Sequence, residues 1–75
     1  MKRYKNMSGN SGILAYEIDN NSITIQFRVG GIYLYNTRRP GGYLLEQMKS
    51  LAISGVGLNT FINKYIRKNY DKKLR

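Results

Sequence analysis

The chain has 75 residues, no cysteine and no histidine, and thirteen Lys and Arg against four Asp and Glu, for a formal charge of +9. So short a chain leaves no room for a second core or a buried substrate chamber, so function belongs on the surface or in a shallow groove. Composition also excludes disulfides, zinc fingers and imidazole metal sites, and no cofactor is expected.

Met1 to Gly12 reads Lys-Arg-Tyr-Lys and then Asn, Ser and Gly, a basic arm expected to be flexible and without the apolar core of a signal segment. No segment approaches the roughly 18 consecutive apolar residues of a membrane span. A cytoplasmic protein with no membrane partner is the expectation, and the absence of cysteine fits a reducing compartment.

Ile13 to Asp19 carries Leu14, Tyr16 and Ile18 and stops at Asn20-Asn21, a pair that tolerates tight-turn conformations. Ile23, Ile25, Phe27 and Val29 then alternate with Ser22, Thr24, Gln26 and Arg28, the period of a strand with one buried face. A two-residue loop at Asn20-Asn21 places Ile18 opposite Ile23 and Leu14 opposite Phe27, which supports a hairpin. Gly30-Gly31 marks a second turn, and Ile32 to Tyr35 a third strand that is apolar on both faces. A two-residue loop there puts Tyr33 and Tyr35 on the polar face with Arg28 and Gln26; a three-residue loop turns them into the core.

Thr37 to Gly42 is a loop. Leu44, Leu45, Met48, Leu51 and Ala52 form a helical stripe over Tyr43 to Ser54, with Gly55 as its stop. Leu58, Phe61, Ile62, Tyr65 and Ile66 repeat the helical spacing, with Asn59 and Thr60 available for capping and Lys64, Arg67 and Lys68 on the other face. These elements predict a two-layer α+β domain over residues 13–70: a three-stranded antiparallel β-meander covered by two C-terminal α-helices, between an N-terminal arm (1–12) and a basic tail (71–75) that frays.

An ordered series runs through Ser11, Ile13, Tyr16, Ile23-x-Ile25-x-Phe27-x-x-Gly30-x-x-Tyr33-x-Tyr35, Pro40, Tyr43, Ala52, Ser54, Gly57, Asn59 and Ile62. This series resembles the KTSC domain, found at the C-terminus of some lysyl-tRNA synthetases and as a standalone small protein. The resemblance implies the α+β fold and, through the company of a tRNA-handling enzyme, RNA binding. Arg39 stands before Pro40 where an aliphatic residue is usual, and Gly41-Gly42 loosens the start of the first helix.

The charge attracts and steers polyanions, so RNA, either tRNA or another structured RNA, is the leading partner. Tyr33 and Tyr35, if exposed, can stack on bases beside Arg28; if inward, they pack under the helices. Arg38 and Arg39 lie in a Pro-Gly-Gly loop where guanidinium forks can reach phosphate oxygens, and Lys64, Arg67 and Lys68, continuing into Lys72, Lys73 and Arg75, make a stripe suited to a phosphate backbone. Each of these groups is also compatible with simple solvation.

The four carboxylates are scattered, so no catalytic pair is expected. The chain reads as a non-catalytic binding module. Alternatives are an adaptor or inhibitor, of phage or other mobile-element type, docking on an acidic protein partner, and a small histidine-free ribonuclease. Exposed sheet edges leave a monomer or a weak homodimer open.

Overall fold

In the computed structural model, which describes residues 1–75, the chain runs β1 (Lys2–Arg3), β2 (Ile13–Asp19), β3 (Ser22–Phe27), β4 (Ile32–Asn36), α1 (Gly42–Ser54), α2 (Leu58–Phe61) and β5 (Lys72–Lys73). α2 continues directly into a π-helical turn, Ile62–Ile66. The result is a small α+β domain with an antiparallel sheet and two helices. The sheet, however, has five strands in the order β1-β2-β3-β4-β5, which corrects the three-stranded meander. Both additional strands come from the segments read as arm and tail. Each is a two-residue basic strand with no apolar period, so its pairing is set by neighbours distant in the chain.

The Asn20-Asn21 turn pairs Asp19 with Ser22 and Ile18 with Ile23, as the alternation requires. Further along β2 the register shifts: Ala15 pairs with Gln26 but Ile13, not Leu14, lies opposite Phe27. A bulge adds one residue to β2 and exchanges which side chain faces inward. Ile13 is thereby fully buried, while the half-buried Leu14 offers its carbonyl to the Tyr4 N–H at 3.0 Å.

At the second turn the Phe27 N–H donates to the Gly31 carbonyl at 2.9 Å, leaving Arg28, Val29 and Gly30 as a three-residue loop. Tyr33 then lies opposite Ile25 and Tyr35 opposite Ile23, on the face that packs against the helices. Gly31 has φ 108°, and a Cβ there would collide with the Arg75 carbonyl oxygen. Glycine therefore serves both the turn and the close approach of the chain end that forms β5.

Helix α1 buries Leu45, Met48 and Ala52 and ends at Gly55, whose left-handed conformation (φ 80°) returns its N–H to the Leu51 carbonyl. The second helix departs from its expected pattern. Leu58, Ile62 and Ile66 are buried, but Tyr65 is 63% exposed. The π turn bonds Arg67 N–H to Ile62 O at 2.6 Å, and this wider turn makes the inward spacing four residues and swings Tyr65 out. Neither Asn59 nor Thr60 caps the helix, which starts at Gly57 without a side-chain cap of its own. Instead the Leu58 N–H donates to the Tyr4 hydroxyl at 3.3 Å, so a residue of the N-terminal segment satisfies one of the donors a helix start leaves open. Tyr4 is 3% exposed and belongs to the single core cluster with Tyr16, Ile25 and Tyr35 from the sheet and Leu45 and Leu58 from the helices.

Candidate nucleic-acid interface

The three-residue loop decides the fate of the two β4 tyrosines. Tyr35 lies in the core at 1% exposure and presents no free ring face to a base. Tyr33, nearer the sheet margin, is half-buried. Tyr70, which follows the π turn, joins them. Its ring meets Tyr33 at 4.7 Å between centroids and 61°, and Tyr35 at 6.3 Å and 87°, while Phe27 meets Tyr33 at 5.6 Å and 79°. These edge-to-face contacts put the positive rim of one ring against the negative face of the next.

Above this cluster opens a groove of about 240 Å³, lined by Phe27, Val29, Gly30, Tyr33, Tyr35, Arg67, Lys68 and Tyr70. Lys73, paired with Tyr33 across β4 and β5, holds its Nζ 5.7 Å from the centre of the Tyr33 ring, within cation–π range. Burial, with further contributions from Tyr33 and then Tyr70, raises the Tyr35 phenol far above its ordinary value, so this hydroxyl stays protonated at physiological pH.

Arg67 reaches the groove through an unusual backbone. It has φ 52° and ψ −117°, and the Asn69 N–H closes a turn onto the Ile66 carbonyl at 2.9 Å. That is the first central position of a type II′ turn, which ordinarily takes glycine. A non-glycine residue held there costs on the order of 1–3 kcal/mol.

Arg38 and Arg39 are brought to the same edge. The Asn36 side-chain oxygen accepts the N–H groups of both at 3.0 Å, fixing the loop in which the Arg39–Pro40 peptide is cis. From there Arg39 Nε donates to Asn69 Oδ1 at 3.1 Å, and Arg38 lies 3.5 Å from the Asp71 carboxylate. The loop arginines thus adjoin the segment carrying Arg67, Lys68, Lys72 and Lys73. Asp71 is the one carboxylate in this stretch; Glu17 and Asp19 lie on β2 and Glu46 on α1. Among all thirteen basic side chains, only Arg38 and Lys49 have a carboxylate within ion-pairing distance. No group of acidic side chains comes together that could hold a metal ion.

Two candidates from the sequence stand apart. Arg28 turns away to donate from Nε to the Ser11 carbonyl at 3.1 Å, tying the β3–β4 loop to the start of β2. Lys64 is exposed on the π turn but does not line the groove. Conversely, pattern does not single out Tyr70, and it gives Lys73 only as part of the basic run that continues beyond Lys68. Tyr70 is a lone aromatic between two basic runs, and Lys73 acquires its place only through the β4–β5 pairing.

A second groove, of about 250 Å³, lies between the helices and is lined by Tyr43, Leu44, Gln47, Phe61 and Tyr65. Tyr43 is 79% exposed, and Phe61 and Tyr65 lie 5.1 Å apart. No charged residue lines this groove.

Fold and site together define a small α+β domain with an aromatic-floored groove rimmed by cations. No family model matches the chain, and neither does any curated protein or solved structure.

Proposed function

We propose that this chain is a non-catalytic RNA-binding module that engages phosphates through the β4–β5 edge, using Arg38, Arg39, Arg67, Lys68, Lys72 and Lys73. One observation carries the reading: cations from two segments some thirty residues apart converge, through the Arg39–Asn69 hydrogen bond, beside a groove floored by aromatic rings. Their near-complete lack of carboxylate partners leaves the field directed at solvent, where it favours a polyanion over a mixed-charge protein surface. The aromatic floor favours RNA over duplex DNA, since unpaired bases are accessible in RNA loops and ends. A cytoplasmic setting and kinship with KTSC domains belong to the same proposal; the ordered residues from Ser11 to Ile62 support the kinship. No helix is long and apolar enough to cross a membrane.

The test is titration of the purified chain with a tRNA mixture and an unrelated RNA at two salt concentrations. Binding that discriminates between them and survives moderate salt is expected, because purely electrostatic association of any basic protein fades steeply with salt. Weak binding abolished by salt, with a protein partner retained after nuclease treatment, would overturn the reading in favour of an acidic protein target.

A further inference from the structure

We propose that the groove over Tyr33, Tyr35 and Tyr70 receives one unstacked base of a single-stranded RNA, with the neighbouring phosphate held by Arg67 and Lys68. This rests on the RNA-binding reading and narrows its ligand to an extruded base with its phosphate.

Size is the first argument. At about 240 Å³ the groove is smaller than the roughly 300–1,000 Å³ of pockets that enclose drug-sized ligands. It suits a single flat ring system and not a stacked pair. Chemistry is the second. The lining combines apolar rings with two consecutive cations, Arg67 and Lys68, complementary to a group that joins an aromatic ring to an anion. A base inside a duplex presents no such group until it is unstacked. The ring geometry adds a constraint. Tyr33 already has Lys73 near one face, and the rings contact one another edge to face. A seated base therefore meets ring edges and the Arg67 guanidinium plane, a recognised stacking surface for bases, and not a flat tyrosine platform.

Arg67 supplies the third argument. Its strained backbone conformation sits at the rim of this groove, and glycine would fit the turn better. The second groove, with more exposed tyrosines, lacks any cation to hold the phosphate.

The experiment compares affinities of the whole chain for labelled oligouridine, for the same strand annealed to its complement, and for an abasic ribose-phosphate oligomer of equal length. The single strand is expected to bind about ten-fold more tightly than the other two, as stacking of one base implies. Equal affinity for all three overturns base insertion while leaving phosphate binding in place. No binding to any overturns both readings. Arg67→Gly relaxes the turn, so its melting temperature should equal or exceed the wild-type value while the preference for base over abasic strand collapses toward unity. Lys64→Ala, outside the lining, should lower all affinities alike and leave that ratio intact. Should Arg67→Gly lose its melting transition, Arg67→Lys, which keeps the cation for the phosphate but lacks the planar face that meets the base, reads the same ratio. A ratio unchanged from wild type in the folded variant overturns the proposal.

Discussion

The two aromatic grooves are nearly equal in size, about 240 and 250 Å³, and both are rich in tyrosine, yet they are built on opposite terms. Between the helices, Tyr43 and Tyr65 project into solvent with no charge on the lining. At the β4 edge, Tyr33, Tyr35 and Tyr70 are anchored in or against the core, and the cations stand on the rim. Exposed aromatic rings and clustered cations therefore do not coincide in this molecule. What distinguishes the groove at the β4 edge is a floor packed against the core, with charged side chains next to apolar surface.

The contrast breaks most directly on stability. Tyr35→Ala should cost about 3–5 kcal/mol, as large-to-small changes of buried aromatics do. Tyr43→Ala should stay within about 0.5 kcal/mol, as exposed substitutions usually do. Urea unfolding of the two variants measures the difference, and comparable losses would mean that the two grooves are not built differently. Next in size is Tyr4→Phe, which leaves the Leu58 N–H without its acceptor at the start of the helix bearing Phe61 and Tyr65. A loss of about 1–3 kcal/mol is expected from an unsatisfied buried donor, again by urea unfolding.

Binding sharpens the comparison further. The double change Lys68→Gln and Lys73→Gln should reduce the slope of log affinity for single-stranded RNA against log salt by about 0.7 for each phosphate contact removed. Tyr43→Ala with Tyr65→Ala should leave that slope unaltered.

The smallest effect concerns alkaline pH. The Tyr35 phenol is raised in the folded chain, first by burial, so the unfolded chain releases that proton at a lower pH than the folded one. Its contribution to stability is whole below about pH 10, the ordinary tyrosine value, and declines as pH rises beyond it. Tyr35→Phe removes this component, so its stability, followed by urea midpoints from neutral to strongly alkaline pH, should fall less steeply than that of the wild type.

Much of the fold was legible because its signals are local. Alternation from Ile23 to Phe27, the Asn20-Asn21 turn and the Leu45, Met48, Ala52 stripe ending at Gly55 each specify backbone conformation within a few residues. The candidate site was legible only in its parts. Arg38, Arg39, Arg67 and Lys68 stand out as cations in a loop and on a helix, but nothing in their spacing says that Asn69 will join the two groups. Strand β4 is apolar on both faces, so only the three-residue loop observed between Phe27 and Gly31 turns Tyr33 and Tyr35 inward.

Taken by itself, the sequence determined the strongly basic charge, the lack of histidine and cysteine, the three central strands and the two helical segments. Tertiary structure alone decided the bulge that seats Ile13, the capping of α2 by Tyr4, the π turn that exposes Tyr65 and the recruitment of Lys2–Arg3 and Lys72–Lys73 as edge strands. The physical reason is the range of the interactions. Periodicity and turn chemistry act between near neighbours, whereas backbone groups at a sheet edge or helix start must be satisfied by whatever segment the packed core brings to them. In this chain those segments are its two ends, and each carries three of the thirteen basic residues.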